Sequence, residues 1–204
     1  MADGKSGATP LEGSGKRILL IYGTPKPLSF CHALAEAYAQ GARNQGHVVR
    51  TLKLGELDFD PVLHYGYEQS QVLEPDLLEA QRQIHWAEHL VVVYPVWWGG
   101  IPAVLSGFFD RVLMPGFAFK AHGRRHRSNE LLQGRTAEVL ATMDTSSGYF
   151  RWVYGAPAHR QIARSVLRFC GVRVKRLTEF APVRTSTEEQ RQRWLHKAEA
   201  LGKR

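Results

Sequence analysis

Two tryptophans followed by two glycines, Trp97, Trp98, Gly99 and Gly100, are the residues of this chain best suited to holding a flat aromatic ligand. Indoles on a connection are costly to bury, because each N–H wants a partner. Glycines beside them let a planar group approach backbone N–H groups closely. A second run, Asp144-Thr145-Ser146-Ser147-Gly148-Tyr149, offers hydroxyls and amides to the polar edge of a ligand, and its composition equally describes a plain turn. A third, Gly23-Thr24-Pro25-Lys26-Pro27-Leu28-Ser29-Phe30-Cys31, leads into a helical stripe with Ser29 placed as its N-cap. Free N–H groups and the helix dipole at such a start suit a phosphate, and Lys26 adds a charge. An ordinary capped helix fits those local residues equally well.

Each run is set by the element before it. Arg17 to Tyr22 and His89 to Tyr94 are short, unbroken apolar segments, the pattern of strands buried on both faces. Pro95 cannot donate to a sheet ladder, so the second of these is expected to stop there. Behind Gly100, Pro102 suits a first helical position, and Val104, Leu105, Phe108, Phe109 and Val112 recur at helical spacing. Thr136 to Met143 is a further strand, and it delivers the Asp144 to Tyr149 run.

The remaining chain fills in an alternation. Phe30, Leu34, Ala37, Tyr38 and Gly41 give a helix closed near Gly46. His47 to Leu54 reads as a strand nearer an edge, and Pro75 and Asp76 open a helix to about Ala87. Between them lies a long connection, of a length that is often functional. Pro157 to Cys170 is a helix closed by Gly171, and Val172 to Thr178 alternates like an edge strand. Ser186 and Glu189 form a capping box for a last helix carrying Trp194, Leu195, Ala198 and Leu201. Strands alternating with helices imply an α/β fold, a parallel sheet between two helical layers. Five strands make the flavodoxin-like three-layer sandwich, order 2-1-3-4-5, the leading architecture. In it the loops after strands one and three flank the switch point where ligands bind. Both the Thr24 to Cys31 loop and the Trp97 loop fall there, which favours the phosphate reading of the former.

The 204 residues suffice for one domain with a substantial core, expected over 16–204, with 1–15 as a flexible Gly- and Ser-rich tail. Gly13-Ser14-Gly15-Lys16 only faintly suggests a P-loop, since Pro10, Arg17 and its place before the strand break the pattern. No apolar run approaches the roughly 18 residues of a membrane span. Cys31 and Cys170 lack metal-ligand spacing, so no metal site is expected, and a reduced, cytoplasmic protein is. The net charge of +8 includes the cluster Lys120 to Arg127, read as a solvated loop; no nucleic-acid fold motif accompanies it, so nucleic acid is not an expected partner.

Tyr94-Pro95-Val96-Trp97-Trp98-Gly99-Gly100-Ile101-Pro102-Ala103, with Gly107-Phe108-Phe109-Asp110-Arg111-Val112 and Pro115-Gly116-Phe117-Ala118-Phe119, resembles the flavodoxin-like NAD(P)H:quinone oxidoreductases. These are the relatives of mammalian quinone reductase, bacterial drug-activity modulators and potassium-efflux ancillary flavoproteins. The resemblance spans about 17–177 and includes Ser29-Phe30-Cys31-His32-Ala33-Leu34, like their Ser-Phe-Asn phosphate loop, and Phe169-Cys170-Gly171. It implies a homodimeric flavoenzyme with FMN, and FAD as the alternative. Pro95, Val96, Trp97, Trp98 and Gly99 would contact the isoalloxazine ring, and Thr145, Ser146, Ser147 and Gly148 its pyrimidine side. Thr24, Lys26, Ser29, Phe30 and Cys31 would hold the phosphate. Gly23 and Cys31 depart from the family's usual His and Asn, and Tyr154 stands where mammalian members carry a His of their proton relay.

The implied activity is a ping-pong two-electron transfer. NAD(P)H, as NADH or NADPH, gives a hydride to the flavin, and a quinone or similar acceptor then takes it in the same slot. Tyr149 and Tyr154 are the candidate donors to the acceptor oxygen. An electron-carrier flavodoxin, or a regulatory subunit of a transporter, is the alternative from another class.

Overall fold

The computed structural model describes residues 15–120 and 130–204. The expected tail, apart from Gly15, and the basic cluster, apart from Lys120, lie outside the described residues. The five apolar or alternating segments form one parallel sheet in the order β2-β1-β3-β4-β5. They are β1 (Arg17–Tyr22), β2 (Val48–Lys53), β3 (His89–Pro95), β4 (Thr136–Thr142) and β5 (Arg173–Phe180). β3 lies between β1 and β4 and is buried from His89 to Tyr94, which explains its unbroken apolar run.

Two cores sandwich the sheet. On one face α1 (Phe30–Asn44) and α6 (Glu188–Gly202) cover Ile18, Leu20, Val91 and Val93. They cross so closely that a Cβ on Gly41 would run into the Glu199 carbonyl. That explains a glycine inside the apolar stripe of a helix, where it otherwise weakens the element. On the other face α2 (Pro75–Trp86), α3 (Ala103–Val112) and the helical run after Pro157 cover Leu19, Leu90, Val92 and Val139.

β3 does end at Pro95, although Val96 N–H just beyond it still donates to the Thr142 carbonyl at 2.7 Å. Several local expectations are corrected. Pro102 is the N-cap of α3 rather than its first residue. The run after Pro157 is one turn of α-helix, α5 (Pro157–Arg160), continued by a π-helical segment, Gln161–Arg168. α4 (Ser147–Trp152) is a short helix inside a stretch read as loop. The cap of α6 is Thr187, whose hydroxyl accepts from Gln190 N–H; Ser186 instead donates to the Val183 carbonyl, so the Ser186–Glu189 box does not form.

The long connection between β2 and α2 is anchored by one buried cation. Arg111 of α3, 1% exposed, donates to the Glu74 carboxylate at 2.8 Å, to the Val72 carbonyl at 2.9 Å and to the Asp60 carbonyl. Pro61 packs so close to Gly107 that no Cβ fits there. Arg111→Ala is expected to destabilise the protein by about 3 kcal/mol, because it strands a partly buried carboxylate and two carbonyls. Urea unfolding checks this: the midpoint should fall with little change in slope.

Candidate active site

The three expected runs all emerge at the carboxyl end of the sheet, each following a buried strand. After β1, Gly23 N–H donates to the Val93 carbonyl, 2.8 Å, which extends the ladder before the chain turns. Thr24 is buried, and its hydroxyl accepts from Lys26 N–H at 3.3 Å. Ser29 caps α1 by accepting from His32 N–H at 3.4 Å, and its hydroxyl lies 3.1 Å from the His32 ring. Phe30 and Cys31 therefore occupy the first two helical positions, whose amides have no partner within the helix. Their side chains do different work. Phe30 packs beside Trp194, and the Cys31 thiol turns inward to Thr142 at 3.1 Å. Burial pushes that thiol up to about 11, so it is not a thiolate at neutral pH.

After β3 the chain makes a two-residue hairpin. Trp97 and Gly100 exchange both backbone hydrogen bonds, at 3.1 and 2.8 Å, and Trp98 and Gly99 between them have φ of 53° and 74°. Positive φ at both central positions is the signature of a type I′ turn, which favours Asn-Gly. A tryptophan in the first place is strained, and here its side chain is fully exposed. No packing against the described residues offsets the strain. The Gly99 carbonyl accepts from Ala158 N–H at 3.1 Å, tying the hairpin to α5.

After β4, Asp144 and Thr145 lead into α4. The Asp144 carboxylate accepts from Arg184 N–H at 2.7 Å. Val96, Trp98, Gly99, Thr145 and Tyr154 line one cleft of about 540 Å³, floored by Met143, Phe150 and Pro157. Its volume lies within the range of small-molecule sites. A groove of about 610 Å³ runs elsewhere, beside β5, so size alone does not choose the site. Position at the carboxyl ends of the strands does. The amides of Trp98, Gly99, Thr145 and Ser146 donate to no described residue. Of the other expected residues, Pro95, Trp97, Ser146, Ser147, Gly148 and Tyr149 stand outside this lining, as does the Thr24 to Cys31 loop. Tyr149 is held edge-on against Tyr154, ring centroids 5.1 Å apart, and both are about half exposed.

Backbone strain marks the same place. Among the described residues three non-glycines have left-handed φ: Leu28, Trp98 and Ala156. They lie in the loops after β1 and β3 and in the turn after α4. Such outliers cluster at functional sites, where strain is tolerated for what it positions.

Beneath the cleft lies a network that sequence reading missed. The Tyr94 hydroxyl donates to His159 Nδ1 at 3.0 Å, and His159 Nε2–H donates to Glu179 at 3.0 Å. Arg151 closes the line on the same Glu179 oxygen at 2.8 Å. Both ring nitrogens are thus satisfied by a neutral imidazole. Burial lowers the His159 pKa against the opposing pull of Glu179. Burial pushes Glu179 up, but the hydrogen bond and charge of Arg151 outweigh it and hold the carboxylate below its ordinary value. The His159 ring also packs edge-on against Phe150 of the cleft floor, centroids 5.0 Å apart.

Residues 16–202 match the family described as having a flavodoxin-like fold. A ribosyldihydronicotinamide dehydrogenase [quinone] of Pongo abelii is 29% identical, the alignment covering 87% of each chain. An uncharacterized NAD(P)H oxidoreductase of Haemophilus influenzae is 28% identical over 76% of this chain and 78% of its own. Among solved structures, Smu.1420 from Streptococcus mutans superposes with a TM-score of 0.75 at 28% identity, over 92% of this chain and 98% of its own.

Two outcomes are expected. Trp98→Gly, which loses no packing, should stabilise the fold by about 1 kcal/mol, the cost of a left-handed non-glycine residue, whereas Trp98→Ala should give little gain. Urea midpoints of the two variants check this. His159 and Glu179 both have folded pKa values below their unfolded ones, so their stability contribution is complete at neutral pH. It should be lost as pH falls below about 6.5 and on through the folded values. Unfolding free energies between about pH 7.5 and about pH 5 should drop, and His159→Gln should flatten that slope.

Proposed function

The chain belongs to the family of flavodoxin-like fold, and within it we propose a flavin-dependent NAD(P)H oxidoreductase that reduces quinones or similar acceptors. The observation that carries the reading is the cleft at the carboxyl end of the sheet, where the strained Trp98–Gly99 turn and the Thr145 loop line one space. The quinone-reducing relatives share this chain's length almost end to end, which supports the same chemistry.

The residues fit FMN. Free amides of Phe30 and Cys31 at the start of α1, with the Ser29 hydroxyl and Lys26, suit its phosphate. The strained Trp98–Gly99 hairpin and Val96 give a flat wall with two free amides for the ring. Thr145 to Gly148 give hydroxyls and amides for its pyrimidine edge. When bound, the flavin supplies two-electron chemistry, accepting a hydride from NAD(P)H and giving it to the acceptor.

This chain's own residues do the rest. Trp98 and Tyr154 border the slot and exclude water from its mouth. The amides of Trp98, Gly99, Thr145 and Ser146 are preorganised to stabilise negative charge on the ring's polar side. The Tyr154 hydroxyl, its ring held edge-on by Tyr149, donates a hydrogen bond to the acceptor oxygen. His159 holds Tyr94 and Phe150 in place and exchanges no proton with substrate, since it is buried behind both. A homodimer working in the cytoplasm completes the proposal. Among the described residues no helix is long and apolar enough to cross a membrane.

Purified protein should carry, or take up, a yellow cofactor that acid releases as FMN, and should oxidise NADH or NADPH with menadione as acceptor. Tyr154→Phe should lower kcat about tenfold or more with cofactor still bound, the range of a lost acid or hydrogen-bond donor. A protein that stays colourless after flavin addition and oxidises neither nucleotide contradicts the proposal.

A further inference from the structure

Among the described residues β5 is the open edge of the sheet, since the strand order places no neighbour beyond it. A groove of about 610 Å³ follows the first half of this edge. Its lining takes Arg173, Val174, Lys175 and Arg176 in succession, across the bulge at which β5 shifts register against β4, so the groove follows the edge itself. Val172, Val174 and Leu177 form an apolar floor. Arg164 and Arg168, from the π-helical segment, face the same space. The flavin cleft lies beyond the opposite ends of the strands.

Three of the five lining cations are unpaired among the described residues. The side chains of Arg164, Arg168 and Arg173 make no ion pair or hydrogen bond with any described residue, whereas Arg176 lies 3.9 Å from Glu138 and Lys175 also acts on that carboxylate. Among the described residues Glu130 is the one acid in the lining. Cations on an edge strand commonly guard it against unwanted pairing. Guarding alone does not account for two further cations supplied from a neighbouring helix, nor for an apolar floor beneath them.

We infer that the β5 edge is the docking site of an acidic, extended polypeptide segment. The segment adds as a strand: its backbone pairs with the outer groups of β5, and its carboxylates meet Arg164, Arg168, Arg173 and Lys175. Main-chain bonds give such a contact its affinity, and alternate side chains its specificity. At about 3.3 Å per residue, five to seven residues fill the groove. Apolar residues alternating with the acidic ones match the floor. Among the described residues no aromatic side chain lines the groove to give the base stacking that single-stranded nucleic acid uses.

The test uses the full chain and labelled peptides of about eight residues, long enough to span the groove. One alternates Glu and Val. A second alternates Lys and Val, and a third, a Glu/Pro peptide with its prolines in adjacent pairs, keeps the charge but removes backbone donors from both edges. A single-stranded oligonucleotide is the polyanion control. Fluorescence anisotropy should detect binding of the Glu/Val peptide only, and hydrogen exchange should show the amides of 173–177 protected by it. Arg173→Glu with Lys175→Glu should weaken that binding about tenfold or more while leaving NADH oxidation unchanged, because neither residue touches the cleft. The inference is overturned if the Glu/Val peptide does not bind or does not protect those amides. Equal binding of the Glu/Pro peptide or the oligonucleotide, or an unaffected double variant, also overturns it.

Discussion

The buried line from Tyr94 through His159 and Glu179 to Arg151 is the constraint on which the site depends. Tyr94 is fully buried at the end of the central strand, so its hydroxyl must find a partner inside the protein. The partner it finds is a histidine one turn into the helix that receives the Gly99 carbonyl. That histidine in turn needs Glu179 near the end of β5, and Glu179 needs Arg151 on α4. Four elements are thereby fixed relative to one another, and three of them bound the same cleft. Removing Tyr94, His159 or Arg151 leaves a buried neighbour short of a partner, the costly way to lose a hydrogen bond.

Rigid support of this kind is what allows strain above it. Trp98 holds a backbone conformation that its side chain disfavours, in full view of solvent. The turn persists because Trp97 and Gly100 pair on either side and Ala158 pins the Gly99 carbonyl. The same logic applies on the β1 side, where the Ser29 cap and the buried Thr24 fix a loop whose Leu28 is both left-handed and exposed. The chain thus holds two large apolar side chains outward on strained backbone, one in each of the loops after β1 and β3.

Much of this was legible in the residues themselves. The buried strands declare themselves as short β-branched runs, and their alternation with helical stripes is enough to give the sheet order. The Trp97 to Gly100 loop stands out by composition, and Ser29 by its place before a stripe. What escaped has a common cause. The Tyr94, His159 and Glu179 partners are far apart in sequence, and none belongs to a local pattern; a single buried histidine in a helix looks like any other. α4 is too short to show a period, so it reads as loop. The π winding after Arg160 changes hydrogen bonding without changing composition. At α6, Ser186 and Thr187 are both good caps, and the choice falls to Thr187 because the Val183 carbonyl captures the Ser186 hydroxyl.

The central claim is that the cleft between the β3 and β4 loops is built for a flavin whose phosphate sits on the start of α1. A crystal structure of the protein grown with FMN tests it most directly. The account predicts the ring against Val96 to Gly99, its pyrimidine edge at Thr145 to Gly148, and the phosphate on the amides of Phe30 and Cys31 with Ser29. A flavin bound elsewhere, or a phosphate that makes no contact with the start of α1, would contradict it.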